Sequence, residues 1–167
     1  MQITVKQVTT EFNQNEDRIS FSCVLNDNSS VIIWLTQRML RRFVPALLHN
    51  VEKELKLGVQ SHSSIKKVIE RAVHNNQSTV ESVHTAMRVE SWLIVSIDIS
   101  KMPYEVRLTF KGANGEFAPW SMSYVHLRQW LDILYRCCLE SGWPLDVWKE
   151  WQQIISFESE TSSDLWH

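Results

Sequence analysis

The chain of 167 residues has little of the material that flexible loops, cross-links and membrane spans require. Four glycines and four prolines leave few residues for a glycine-rich loop that could hold a phosphate. The three cysteines include the adjacent pair Cys137-Cys138 and form no disulfide framework. The longest apolar runs, at residues 31–35 and 92–95, are far too short to span a bilayer. We therefore expect reduced, mostly buried thiols and no membrane segment.

An excess of charge of one sign is also missing. The chain has 17 basic and 19 acidic side chains and a formal net charge of -2. This balance gives no overall field that would attract nucleic acid or an anionic membrane surface. The first residues have the alternation of a β-strand and lack the layout of a signal peptide. The sequence thus disfavours nucleic acid as a partner, predicts no membrane partner and favours a cytoplasmic location.

The linear motifs of common catalytic and metal sites are missing as well. The six histidines form no HExxH pattern, and the cysteines form no CxxC pattern. There is no GxSxG motif, and the glycines at residues 111–115 have the wrong spacing for a phosphate-binding loop. We expect no metal, no cofactor and no catalytic residue. An enzyme is still an open alternative, because an active site needs no linear motif.

What the chain does contain is a pattern that occurs twice in the same order. Each copy has an Arg-apolar-polar-Phe strand, an Asn turn, a Trp and a Leu-Arg helix start. The matching pairs are residues 18–21 with 107–110, Asn28 with Asn114, Trp34 with Trp120, and residues 40–44 with 127–131. This order predicts an internal duplication.

Each copy predicts three strands followed by one helix. Alternating apolar residues predict the strands of the first copy, Asn28 lies in a turn, and Thr36 is the expected N-cap of the helix. Apolar residues of the two helices recur at the spacing of one buried stripe. The first stripe is Leu40, Phe43, Val44, Leu47, Leu48 and Val51, and the second is Leu127, Trp130, Leu131, Leu134, Tyr135 and Cys138.

The remaining segments complete an α+β fold. Residues 64–75 predict a linking helix, one long strand is expected within residues 87–100, and residues 144–155 predict a C-terminal helix. The acidic residues 158–167 are expected to form a flexible tail. We expect a single domain over residues 1–157 with two pseudo-repeated antiparallel β-β-β-α units, about 1–57 and 86–141. The units are expected to form a sandwich or a partly open barrel.

This order of elements is similar to that of the head domains of DNA end-joining scaffold proteins, over roughly residues 1–141. The likeness lies in the topology and in no specific motif. Gly142-Trp143-Pro144 ends the second helix where that family's coiled-coil stalk would begin. The resemblance therefore implies the fold of a head domain, and it does not extend to the family's dimerisation and filament roles. The chain also resembles bacterial protein families built on a duplicated β-β-β-α unit.

Tryptophan is the most over-represented residue, with eight copies in the chain. We expect Trp34, Trp120 and Trp130 in the core. Tryptophan is enriched at protein interfaces, where it buries a large area with a single donor to satisfy. The candidate interaction surface consists of Trp143, Trp148, Trp151, Leu165 and Trp166. The alternative is that the last helix packs its tryptophans on its own domain as a lid.

The basic residues of the first helix are the remaining candidate. Arg38, Arg41 and Arg42 fall on its polar side, which predicts either a nucleic-acid surface or a solvated helix face. Taken together, the sequence predicts a non-enzymatic protein-interaction or scaffolding module that binds a protein partner or itself. The alternative is an enzyme or small-ligand binder that uses the cleft between the two repeats, and a nucleic-acid module is the third hypothesis.

Overall fold

The fold in the computed structural model, which describes residues 2–60 and 89–163, is α+β. The first part comprises β1 (Val5–Asn13), β2 (Arg18–Leu25), β3 (Ser30–Leu35) and α1 (Gln37–Gln60). The second comprises β4 (Glu90–Leu93), β5 (Ser96–Lys101), β6 (Glu105–Lys111), β7 (Phe117–Ser123) and α2 (Tyr124–Ser141). A short 3-10 helix (Asp146–Trp148) leads into α3 (Lys149–Ser163). The linking helix predicted at residues 64–75 lies outside the described residues.

The strands form two sheets that do not close into a barrel. The first sheet has the order β1-β2-β3-β4 and the second has the order β5-β6-β7. All neighbouring strands are antiparallel except β3 and β4, which are parallel. None of the helices in the described part of the chain is long and apolar enough to cross a membrane.

The single long strand predicted within residues 87–100 is wrong, because the chain changes sheets in the middle of it. The N–H of Ile94 donates to the carbonyl of Trp34 in β3 at 3.0 Å. The N–H of the next residue, Val95, donates to the carbonyl of Lys111 in β6 at 2.8 Å. Successive N–H groups of an extended chain point in opposite directions, so one segment can serve two sheets. The second meander consequently begins at Ser96, ten residues after the predicted boundary at 86.

Both helices that follow the meanders begin at a hydroxyl cap. The Thr36 hydroxyl accepts from the N–H of Met39 at 3.2 Å, as the sequence predicts. The Ser123 hydroxyl accepts from the N–H of His126 at 3.1 Å. Helix α2 ends at Gly142, whose φ of 71° is the left-handed conformation that glycine adopts without strain. These caps satisfy N–H and carbonyl groups that a helix end leaves without intrahelical partners.

The core lies between the two sheets and the helices α1 and α2. The stripe residues of both helices are buried except for the half-buried Tyr135. The ring of Phe21 in β2 lies 5.4 Å from that of Phe110 in β6 and 5.6 Å from Trp130 in α2. The buried side chains of the described residues form one hydrophobic cluster. The two units therefore share a core.

The C-terminal helix differs from its predicted bounds of 144–155. A 3-10 turn closes first, with the N–H of Trp148 donating to the carbonyl of Leu145 at 3.0 Å, and α3 then continues to Ser163. Residues 158–163, predicted as part of a flexible tail, are helical. No glycine or proline occurs between residues 149 and 163, so nothing in the backbone stops the helix at residue 155.

Candidate functional site

The tryptophans at the C-terminal end are buried in the domain itself. Trp143, Trp148 and Trp151 are 6%, 0% and 1% exposed. These side chains therefore present no surface to a partner in this conformation, and this part of the predicted interaction surface is corrected. The remaining two members, Leu165 and Trp166, lie outside the described residues.

The contacts of these tryptophans show that the segment from Trp143 into α3 packs on α2 and on the turn after β1, and α3 also contacts α1, so the segment forms a lid. The ring of Trp148 lies 5.3 Å from that of Tyr135 in α2. The guanidinium carbon of Arg128, also in α2, lies 5.8 Å from the ring centre of Trp151. The indole N–H of Trp143 donates to a carboxylate oxygen of Asp17 at 3.0 Å. Burial of these three large indole side chains holds the lid closed by the hydrophobic effect.

Trp34 lies outside the core, contrary to the sequence prediction. Along β3, Val31, Ile33 and Leu35 are buried, whereas the alternate residues Ile32 and Trp34 are only half-buried. Neither of these two belongs to the core cluster or to the half-buried residues packed against it. Side chains alternate between the faces of a strand, so Ile32 and Trp34 lie on the outer face of the first sheet.

Further apolar residues that are exposed or half-buried lie near the junction of the two sheets. Leu93 in β4 is paired with Trp34 and therefore lies on the same face. Val95, 47% exposed, follows at the point where the chain enters the second sheet and bonds to the Lys111 carbonyl. Phe117, 50% exposed, is paired with Lys111. The residues Ile32, Trp34, Leu93, Val95 and Phe117 are named the junction patch here.

The sequence pattern hides the junction patch for a physical reason. Residues 31–35 are all apolar, and such a run is typical of a strand buried on both faces. Periodicity cannot say which face the domain's own helices cover. The available signal is that helices α1 and α2 each have one apolar stripe, so they cover one face of each sheet. An apolar residue on the opposite face is then not covered by these two helices.

The space between the two units is filled by aromatic side chains. Trp130 lies 5.2 Å from Trp120 and 6.1 Å from Phe43, in addition to its contact with Phe21. Its indole N–H donates to the Thr10 hydroxyl at 3.0 Å. Because these rings bring β2, β7, α1 and α2 together, the region where a ligand cleft was expected is a packed core.

A surface depression of about 420 Å³ lies elsewhere, at the turn between β5 and β6. It is lined by Met102, Pro103, Tyr104, Glu105 and Ser123. Tyr104 is 89% exposed at the tip of the turn, and the half-buried Glu105 supplies the carboxylate of the lining. Its polar side chains are one carboxylate, a solvated phenol and the Ser123 hydroxyl, which already accepts from the N–H of His126 as the cap of α2. No histidine that could activate a nucleophile and no group that would orient such a base occurs among these lining residues.

The thiols have the properties of core residues. Cys23, Cys137 and Cys138 are free and buried. Burial raises the pKa of Cys23 to about 12 and that of Cys138 to about 11. At Cys138, the indole of Trp148 offsets part of the rise in pKa. These thiols are protonated at neutral pH and are poor nucleophiles.

Neither a metal site among the described residues nor a related protein indicates a function for this chain. Within residues 2–60 and 89–163, no group of three or more His, Cys, Asp or Glu side chains is placed to hold a metal ion. The likeness to end-joining head domains stays an expectation drawn from the order of elements. Comparisons with protein-family models, with curated proteins and with solved structures found no match to this chain.

Proposed function

We propose that the chain is a non-enzymatic protein-binding module and that the junction patch is its contact surface. The observation that carries this proposal is the position of Trp34, a large aromatic residue outside the core and paired with Leu93. Interface hot spots are enriched in tryptophan, because burying its large ring against a partner requires only one hydrogen bond. A partner protein, or a second copy of the chain, is the ligand that such a surface fits.

The position of the patch supports this proposal. Apolar residues that group together on a protein surface indicate a contact site, whereas singly scattered ones need no explanation. Leu93 lies beside Trp34 in the pairing of β3 with β4, and Val95 follows two residues later, where the chain enters the second sheet. The patch thus includes side chains from both sheets, and a partner that binds there would bridge the two units.

The alternative function is an enzyme or small-ligand binder in the cleft between the two units. The aromatic packing around Trp130 occupies that region and favours the binding module. A ligand site would need a concave space with a few convergent polar groups. The depression beside Tyr104 has an exposed lining and does not lie between the units.

Two glutamate substitutions at equally exposed positions test the proposal. Phe117 and Leu139 are both 50% exposed, but Leu139 lies on α2 and is not part of the junction patch. Phe117→Glu should weaken self-association of the chain, as measured by sedimentation. If the chain instead retains a partner protein, the purified partner should rebind Phe117→Glu more weakly than the unmodified chain. Leu139→Glu is the matched control, because it adds the same charge in place of an apolar side chain.

The expected result is intact melting for both variants and loss of binding for Phe117→Glu alone. Surface substitutions usually change the free energy of unfolding by less than about 0.5 kcal/mol. If both variants bind as well as the unmodified chain, the junction patch is not the contact surface. If both lose binding equally, the effect is one of net charge.

For the architecture, we propose that the two units are copies of one β-β-β-α unit within a single domain, facing each other as a partly open sandwich. Support comes from the pairing, in which Ile19 lies opposite Leu35 and Leu108 lies opposite Trp120. Leu35 rather than Trp34 is then the counterpart of Trp120. Superposition of the two units in an experimental structure tests this, and different handedness of the units would contradict it.

A further inference from the structure

We propose that the solvent face of α1 binds an acidic polypeptide segment of a partner protein. The surface consists of the cations Arg38, Arg42 and Lys53 together with the imidazole of His49 between them, all exposed, and is named the cation row here. It shares no residue with the junction patch. The proposal therefore stands apart from the proposed function, and each can fail without the other.

The helix geometry places these residues in one line. Their spacings of four, seven and four residues repeat the period of an α-helix, so the side chains project from one face. The buried stripe that includes Leu40 and Leu47 lies on the opposite face. At a rise of 1.5 Å per residue, the row extends over roughly 22 Å.

The Arg38 and Arg42 end of the cation row lacks the counter-charges that solvated helix faces usually carry. No acidic residue occurs in the sequence between Asp27 and Glu52. By contrast, α2 pairs Arg136 with Asp132 at 2.9 Å. Oppositely charged residues one helical turn apart stabilise a helix, and Arg38 and Arg42 have no such neighbour on α1.

Other cations of α1 already have acidic partners. Arg41 bonds to Asp146 at 3.0 Å, and Lys56, at the C-terminal end of the same face, bonds to Glu52 at 2.6 Å. Within the part of the chain that the structure describes, Arg38, Arg42 and Lys53 form no ion pair, although Lys53 interacts electrostatically with the neighbouring Glu54. The first turn of α1 also has no acidic residue, although the positive end of a helix favours one. An external anion is thus the counter-charge that the Arg38 and Arg42 end of this face lacks.

An acidic polypeptide fits the row better than a nucleic acid does. About seven residues of an extended chain span roughly 22 Å, and carboxylates pair with Arg in a two-pronged geometry. Proteins that bind single-stranded nucleic acid place aromatic side chains beside their cations for base stacking. The cation row contains no aromatic side chain except the imidazole of His49. The overall charge of -2 adds no attraction for a dense polyanion.

A charge-reversal pair with a matched control tests the proposal on the full chain. The probe is a fluorescent poly-glutamate peptide, with a DNA duplex of equal charge as the comparison, and the readout is fluorescence anisotropy at low salt. The test variant is Arg38→Glu with Arg42→Glu. The control, Lys6→Glu with Arg136→Glu, changes the net charge equally at exposed positions on β1 and α2.

We expect the unmodified chain to bind the peptide and to release it as salt is raised, because exposed charges are screened. The test variant should raise the dissociation constant on the order of tenfold relative to the control. Circular dichroism melts confirm that both variants fold. Failure of the unmodified chain to bind the peptide, or equal weakening by test variant and control, overturns the proposal. Tighter binding of the duplex that depends on Arg38 and Arg42 overturns it in favour of a nucleic-acid surface.

Discussion

The outer faces of the two sheets differ, although both meanders have the same order of strands. In the second sheet the outward positions are mostly polar, and Lys111 forms an ion pair with Asp98 on the neighbouring strand. In the first sheet β3 carries Ile32 and Trp34 outward. Apart from Phe117, the exposed outward residues of the second sheet are polar, whereas β3 of the first sheet presents two apolar side chains. The outer faces of the two units are therefore not equivalent.

One residue of register accounts for the opposite positions of the two tryptophans. Trp34 lies opposite Ser20, which faces outward, and Trp120 lies opposite Leu108, which is buried. Since side chains alternate along a strand, a shift of one position moves a residue from the core to the surface. Similar sequence blocks can therefore supply a core residue in one unit and an outer-face residue in the other.

The largest expected effect comes from truncating the two tryptophans in turn. Trp120→Ala should lower the free energy of unfolding by about 3–5 kcal/mol, because it empties a buried site. Trp34→Ala should cost only about 1 kcal/mol, as for an average substitution outside the core. Urea unfolding of the two variants measures the difference. Equal losses would mean that both tryptophans belong to the core.

Truncation to alanine should destabilise the buried stripes of α1 and α2 to a similar extent, unlike truncation of the two tryptophans in the sheets. Leu47 and Leu134 occupy matching positions and are both 0% exposed. Leu47→Ala and Leu134→Ala should each lower the free energy of unfolding by about 2–5 kcal/mol through lost contacts and a cavity. Leu139→Ala, on the exposed side of α2, is the control. A loss below about 0.5 kcal/mol at either stripe position would show that this helix does not face the core.

The two helix caps provide a smaller comparison of the units. Thr36→Ala and Ser123→Ala each remove a hydroxyl that accepts from a backbone N–H at the helix start. Each change should cost about 1 kcal/mol in the free energy of unfolding. Thr36→Ser and Ser123→Thr keep the acceptor and should be nearly neutral. Equal costs for alanine and for the conservative variant would mean that the cap bond does not contribute.

The smallest effect is a dependence on pH that only the second unit should show. The imidazole of His126 lies edge-on to the Trp120 ring, with 5.6 Å between the ring centres; the residue is exposed overall, and partial burial of the imidazole lowers the pKa of His126. The unfolded chain then binds more protons below its own pKa of about 6.5, so stability falls as pH falls through that range. His126→Met introduces the residue found at the matching position, Met39. The variant should lose less of its melting temperature than the unmodified chain between about pH 7.5 and 5. An equal loss would show that His126 does not carry the effect.

Part of the candidate site was accessible from the sequence, and part was not. An interaction surface built on tryptophan was the prediction, but Trp148 and Trp151 pack against α2 and its neighbours. A dense group of tryptophans on one helix is compatible with an interface and with a lid, because both bury the same area. Trp34 was expected in the core, since neither its neighbours nor its spacing shows which face the helices cover. Contacts between elements distant in sequence decide both cases.

The sequence by itself determined the local elements, because their causes are local. Alternating apolar residues set the strands of each meander, hydroxyl residues at 36 and 123 begin the helices, and i, i+3, i+4 spacing sets the buried stripes. Only the tertiary structure decided the change of sheet at Ile94 and Val95, the lid formed by α3 and the outward side of Trp34. Each of these depends on which distant backbone or side chain is available as a partner. The hydrophobic effect is non-directional and favours contact with any apolar surface, so the local sequence does not specify the partner.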